Sequence, residues 1–411
     1  MNKRSKNPAV PRGDAKLEVG AEVEVEIERI LPGGMGLAHA RGQTLFVALA
    51  APGDRVRVRV RQVRGAVAFA AIEEIVAPSP VRVVPPCPYF GRCGGCDFQQ
   101  MTYDAQLAAK IEIIRDCLRR IARVESPGNI PIVASPSAWQ YRSRAQWQYD
   151  STRKHLGYFA RGSYEVCDVI ECPVVVPQLQ EVLTNLRAEV SAENLPKNAS
   201  EFQAVAGDGE AVALTPLLWE TTATDAVRAI GGERYRFSAE CFFQINHELL
   251  GSLVEEAIKD ARGESAIDLY CGVGLFTLPL ARRVTRVIGV EGNAAACGYA
   301  RLNLVSAELT NAHIETAGVG EWLSAHTRAA MPIDFVLLDP PRAGADGGAA
   351  EGIVALRPRR ISYVSCDPAT LARDLKAFLT SGYELASVVA FDMFPQTHHV
   401  ETVVHLNRVP A

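Results

Sequence analysis

The pattern of this chain predicts an open, mainly parallel α/β sheet with helices on both faces, preceded by a small all-β barrel. Three observations predict it. From residue 251 onward, short β-branched runs alternate with helical periodicity, as in doubly wound folds. A glycine loop, Gly272-x-Gly274, follows the first of these strands, and Glu291 closes the next, the spacing of a ribose-binding carboxylate. Between residues 20 and 76, apolar and charged residues instead alternate with period two, between glycine and proline turns.

Taken in order, residues 1–15 are polar and read as a disordered tail. Residues 16–77 form the expected barrel, OB-like and antiparallel. Its strands include Glu22–Glu28 and Arg55–Arg61, and its turns lie at Pro32-Gly33-Gly34 and Ala51-Pro52-Gly53-Asp54. Side chains alternate along a strand, so Arg55, Arg57, Arg59 and Arg61 share one face. That face is either a solvated outer surface or a phosphate-contacting stripe. Five prolines between Pro78 and Pro88 mark a linker, and residues 103–123 read as helix. Residues 78–250 are expected to form a central α+β domain, in which 139–250 mix strands and short helices. In the last domain, 251–411, strands are expected at Ala266–Tyr270, Val287–Glu291, Asp334–Asp339 and Ile361–Ser365. Helices are expected at Leu275–Arg283, around 293–304 and at Ala369–Thr380.

Composition narrows the function. The 411 residues are 48% apolar and 22% charged, with a net charge of −4. Such a chain can build a core and is not a wholly basic nucleic-acid binder, although local basic surfaces remain open. No apolar run approaches the roughly 20 residues of a membrane span, and the first residues lack a secretory apolar stretch. A cytoplasmic protein is therefore expected. Ten cysteines in that compartment point to burial, catalysis or metal binding rather than to disulfides.

The chemistry-bearing residues gather at expected strand ends, the edge where open α/β sheets bind ligands. Position 277, where a dinucleotide fingerprint has its third glycine, is Thr. S-adenosylmethionine has no phosphate and needs only a shorter loop. A nicotinamide oxidoreductase is accordingly disfavoured. Asp339-Pro340-Pro341 makes a rigid loop at a second strand end. Cys366, in Ser365-Cys366-Asp367-Pro368, stands at a third, where a helix starting near Ala369 would favour a thiolate. In the last segment, Glu401 is a carboxylate in an apolar edge. The adjacent His398 and His399 would project to opposite faces of a strand, so at most one faces a pocket. Cys87, Cys93 and Cys96 cluster around two glycines, which points to zinc or an iron–sulfur cluster with a fourth ligand from elsewhere.

Four segments together carry a resemblance. They are Asp268–Ala281, Asp339–Gly344, Ser365–Asp374 and Phe394–Glu401, and in order and spacing the chain resembles the bacterial RNA 5-methyluridine (uracil-C5) methyltransferases. The resemblance implies a Rossmann-like S-adenosylmethionine-dependent domain, an N-terminal RNA-binding TRAM barrel and a central iron–sulfur domain. It implies that Cys366 adds to C6 of uracil and that Glu401 removes the C5 proton. It assigns Gln244, Tyr270, Glu291 and Asp339 to S-adenosylmethionine. It also assigns Cys87, Cys93, Cys96 and Cys172 to a [4Fe-4S] cluster, with Cys167 the second choice for the fourth ligand. Leu275 and Gly318 depart from polar cofactor contacts of some relatives. The implied partner is RNA, 23S ribosomal rather than transfer RNA, with a target uridine flipped out of its stack. A monomer without an obligate protein partner is expected. A non-catalytic RNA-binding protein on the same fold is the alternative, against which Cys366, Glu401 and Asp339 speak.

Overall fold

The structure is a computed structural model and describes residues 16–125, 128–196, 198–219, 223–326 and 333–410. The tail expected at 1–15 lies outside them. The chain divides into two compact units. One holds the described residues up to Val84 with Gln100–Thr102. The other holds Pro85–Gln99 and everything from Tyr103 onward.

The first unit is one six-stranded sheet. Its strands are β1 (Glu22–Glu26), β2 (Arg29–Ile30), β3 (Gly36–Ala40), β4 (Gln43–Val47), β5 (Arg55–Arg64) and β6 (Val67–Ala77), in the order β1-β5-β6-β4-β3-β2. The sheet curls so that β1 also packs on β3. Alternation does the work: Val56, Val58 and Val60 are buried with Val25, Leu45 and Val47, while the intervening arginines face outward. The sheet is not purely antiparallel as expected, because β4 and β6 run parallel. The stretch 48–54 leads from β4 into β5, and the tight β5–β6 hairpin then returns in β4's direction. The arginine stripe does not stand free for phosphates. Arg55 meets Glu24 at 3.0 Å, Arg59 meets Glu22 at 2.5 Å and Glu73 at 2.9 Å, Arg61 meets Glu73 at 2.8 Å, and Arg57 pairs with Glu74. Neighbouring strands thus supply a carboxylate to each arginine, and the stripe is a solvated ion-pair ladder.

The second unit begins with α1 (Tyr103–Cys117), which runs into one π-helical turn over Leu118–Ala122 and stops at Arg123 in the left-handed conformation. Next come β7 (Ile132–Val133), β8 (Arg144–Asp150), β9 (His155–Phe159), β10 (Val166–Asp168), α2 (Pro177–Ser191), β11 (Glu201–Ala206) and β12 (Val212–Thr215). Strands β8 to β12, without β7, form a five-stranded antiparallel sheet in the order β10-β9-β8-β11-β12. It packs on α2 through side chains such as Leu179, Leu183 and Phe202, each wholly buried and contributing about 1.5–3 kcal/mol. A hairpin follows, β13 (Ala226–Ile230) with β14 (Glu233–Phe237).

The remaining elements are α3 (Leu250–Ile258), β15 (Ser265–Leu269), α4 (Thr277–Ala281), β16 (Arg286–Glu291), α5 (Ala294–Ser306), β17 (Ala312–Thr316), α6 (Val319–His326), β18 (Phe335–Leu338), α7 (Ala349–Leu356), β19 (Arg360–Ser365), α8 (Pro368–Thr380), β20 (Tyr383–Phe391) and β21 (Glu401–Arg408). They build an eight-stranded sheet in the order β17-β16-β15-β18-β19-β21-β20-β7. The five strands from β17 to β19 are parallel, and β21 inserts antiparallel to β19. From β15 the chain winds first to one side and then to the other. A topological switch point therefore opens between β15 and β18, at their C-terminal ends. The apolar cluster under this sheet includes Val205, Ala213 and Tyr235 as well as residues beyond 250. Among the described residues no helix is long and apolar enough to cross a membrane.

Candidate active site

A cleft of about 1040 Å³ opens at the switch point, and Gln244, Tyr270, Glu291, Asp339, Cys366 and Glu401 all line it. The sheet delivers most of them. Tyr270, Glu291, Asp339 and Cys366 stand at or just beyond the C-terminal ends of β15, β16, β18 and β19. Because β21 is antiparallel to β19, with Ser365 opposite Thr402, its first residue comes to the same edge. Register thus sets Glu401 beside Cys366 although 35 residues of chain separate them.

The β15–β16 corner is built to hold a carboxylate forward. Tyr270 and Gly272 both take positive φ, +62° and +53°, which turns the chain sharply after β15. The Tyr270 hydroxyl accepts from Asp346 N at 3.0 Å. Gly272 N and Asn293 N donate to separate oxygens of Glu291, at 3.0 and 2.6 Å. No atom of the described residues lies within 4 Å of where a Gly272 Cβ would be. Threonine at 277 is accommodated from across the sheet. Its hydroxyl donates to Asp268 at 2.5 Å, and the close approach falls at Gly289, where a Cβ would meet Ile314 at 2.7 Å and the Thr277 oxygen at 3.2 Å.

The proline loop after Asp339 is fastened from α8. Asp374 accepts from Ala345 N at 2.9 Å and from the Tyr363 hydroxyl at 2.7 Å, while Arg373 donates to Ala343 O at 3.0 Å. Gly344 sits so close to this pair that a Cβ would meet Arg373 at 2.2 Å. Gln244 reaches Asp339 across the cleft, its amide nitrogen 3.4 Å from Oδ2, and its own Oε1 has no hydrogen-bond partner among the described residues.

Electrostatics in the cleft is dominated by burial. Glu401 is 1% exposed and neither of its oxygens has a hydrogen-bond partner among the described residues. Burial, then the neighbouring Asp339, hold its carboxyl well above the usual range. Asp339 itself is pushed up to about 7 by burial. The Cys366 thiol is pushed up to about 12 by burial, then by Glu401 and Asp339, against the opposing charge of Arg342. The helix-induced thiolate expected from the sequence is not favoured here, because burial and the neighbouring carboxyls favour the neutral thiol. Asp367 caps α8, accepting from Ala369 N and Thr370 N at 2.9 Å each, so these two N–H groups are already occupied.

The two histidines are not in a strand. They precede β21 in a loop, and their rings lie 4.1 Å apart instead of on opposite faces. His399 lines the cleft and is held neutral, pushed down to about 3 by burial and by His398, Arg342 and other cations. His398 bonds Asp97 at 2.5 Å. This loop is pinned by α1. Lys110 pairs with Asp392, both fully buried, and donates to Phe394 O at 3.0 Å, while Gln106 bonds the backbone and side chain of Gln396 at 2.9 and 3.0 Å.

Cys87, Cys93, Cys96 and Cys172 line a second, small pocket, together with Arg142 and Tyr158. All four are partly exposed, whereas Cys167 is buried in the core under α2 and does not line it. Burial raises the Cys87, Cys93 and Cys96 thiols, the last two to about 11 and about 12. Among the described residues no three Cys, His, Asp or Glu form a ready-made metal-binding group. The cysteine loop is bonded on two sides. Gly94 N donates to Phe159 O at 2.9 Å, and Arg161 donates to Cys96 O at 2.6 Å. Toward the cleft, Asp97 N and Phe98 N both donate to Gln396 O at 3.0 Å. Arg342 and this Asp97–His398 link carry no assignment in the sequence reading. The arginine was visible within the Asp339–Gly344 motif, whereas the link joins segments 301 residues apart.

Comparison with known proteins agrees with this arrangement. Residues 223–409 match the tRNA (Uracil-5-)-methyltransferase family, and residues 16–72 match the TRAM domain. An uncharacterized RNA methyltransferase from Thermosynechococcus vestitus is 33% identical, over 94% of this chain and 98% of its own. The 23S rRNA (uracil(1939)-C(5))-methyltransferase RlmD of Vibrio parahaemolyticus is 32% identical, over 92% of this chain and 94% of its own. The crystal structure of Pyrococcus abyssi tRNA (uracil-54, C5)-methyltransferase, in complex with S-adenosyl-L-homocysteine, superposes with a TM-score of 0.72. It is 26% identical, covering 93% of this chain and 100% of its own. Sheet order, cleft residues and these matches converge: the chain belongs to the RNA uracil-5-methyltransferase family and carries a TRAM domain at its N-terminal end.

Proposed function

We propose that this protein methylates C5 of a uridine in RNA, in 23S ribosomal RNA, through a covalent Cys366 adduct. The observation that carries the reading is the shared cleft edge, with a thiol and a buried unpartnered carboxyl side by side and a tethered Glu291 beyond. The residues suit S-adenosylmethionine. Both Glu291 oxygens are oriented by backbone N–H groups and keep lone pairs for ribose hydroxyls, and the space before Gly272 is open. Gln244, Tyr270 and Asp339 complete its surroundings. When bound, it supplies the electrophilic methyl group. The Cys366 thiolate forms a bond to C6 of the uracil, and the C5–C6 π electrons move onto C5 and the C4 carbonyl. C5 becomes nucleophilic enough to take the methyl. Glu401 then accepts the C5 proton; the electron pair restores the C5–C6 double bond, and the C6–sulfur bond breaks to release the thiolate. A carboxylate whose proton affinity is raised by burial is a stronger base for that C–H.

The second pocket is read as a [4Fe-4S] site held by Cys87, Cys93, Cys96 and Cys172, with a structural or RNA-positioning role. Four thiols around one small pocket are a suitable donor set. The identity to the Vibrio enzyme favours ribosomal over transfer RNA. We read the protein as a cytoplasmic monomer. Mapping 5-methyluridine in ribosomal and transfer RNA from a strain lacking the gene tests the substrate. One uridine of 23S RNA should lose its methyl group, and loss confined to transfer RNA would reverse the assignment.

A further inference from the structure

The turn between β9 and β10 presents two large rings to solvent. Phe159 is 39% exposed and Tyr164 is 90% exposed. The rings meet edge to face, with centroids 5.7 Å apart and planes at 83°. Phe159 lines the cleft of Cys366 and also an adjoining hollow of about 700 Å³, which Tyr164 lines with Tyr149 and Arg153. The hollow therefore borders the proposed uridine site at Phe159.

Its chemistry selects a base rather than a phosphate. Arg153 faces Glu165 at 3.6 Å, and Asp150 adds a second acid to the wall, so no net positive charge is offered. Beside its polar side chains, the hollow offers aromatic surface from Tyr149, Phe159 and Tyr164. The rings also sit on a stiff support: Phe159 O accepts from Gly94 N at 2.9 Å, Cys93 bridges Ala160, and Arg161 N donates to Arg92 O at 2.8 Å. A base could stack there without first ordering a loop.

We propose that Phe159 and Tyr164 form a stacking subsite for an unpaired nucleotide next to the target uridine. This rests on the reading of the cleft as a uridine site in RNA. A uridine that leaves its stack to reach Cys366 leaves its neighbour unstacked, and aromatic faces are how proteins hold such bases.

The test is steady-state methylation of a 23S RNA fragment by the wild type, the Phe159→Ala/Tyr164→Ala double variant and Tyr164→Phe. Both rings are exposed, so the fold tolerates their truncation. The double variant should raise KM roughly tenfold or more while kcat stays within about twofold, and Tyr164→Phe should behave as wild type. An abasic site at one flanking position should weaken the wild type and erase its advantage over the double variant. An unchanged KM in the double variant, or an advantage that survives abasic sites on both flanks, overturns the subsite. A wild type inactive on every RNA would instead remove the uridine reading beneath it.

Discussion

Two of the cleft's carboxyl groups, Glu401 and Asp339, act on Cys366, and Arg342 is the cation that opposes them at the sulfur. Burial and the carboxyls raise the thiol, so the reactive thiolate is the minor form at neutral pH. Adduct formation should therefore rise with pH, about tenfold per unit, and should not level off in the neutral range. Replacing Arg342 with Met removes the opposing charge and raises the thiol further. The rising limb of single-turnover adduct formation should then shift to higher pH, with a slower rate at any fixed neutral pH. A limb that stays in place would show that Arg342 does not act on the sulfur. Of these residues, Cys366, Glu401 and Asp339 were legible because each sits in a distinctive motif. The charge balance among them was not, since it depends on burial and on a register that only the folded sheet sets.

At the scale of elements, the cysteine loop links two segments that border the cleft. Its backbone bonds the β9–β10 turn through Gly94 and Phe159, and the loop before β21 through Asp97, Phe98 and Gln396. A group held by the four cysteines would thus brace the loop that leads into Glu401. Cys96→Ser should lower iron and acid-labile sulfide in anaerobically purified protein and speed amide exchange over 394–399. Unchanged iron would remove Cys96 from the ligand set, and unchanged exchange would remove the brace. The sequence predicted β15, β16, β18 and β19 and helices α4, α5 and α8 closely, because apolar runs and turn residues are local signals, but it did not resolve β17, α6 or α7. It missed what depends on pairing: the parallel β4–β6 contact, the glutamates that neutralise Arg55, Arg57, Arg59 and Arg61, and Gly289 taking the role of the glycine missing at 277.

On the scale of the whole molecule, one topological fact organises the chemistry. A parallel sheet brings four strand ends to one edge, and a single antiparallel strand, β21, adds a fifth functional group from the end of the chain. The proposed nucleophile and base, Cys366 and Glu401, therefore face one space although they belong to different segments. The proposed mechanism of this pair is covalent addition and proton removal. Its most direct measurement is the intact mass of protein incubated with substrate RNA and S-adenosylmethionine, after denaturation. Glu401→Gln should accumulate a protein–RNA adduct carrying the added methyl group, and Cys366→Ala should form no adduct and no 5-methyluridine. Methylation by Cys366→Ala, or rapid release of methylated RNA by Glu401→Gln, would contradict the account.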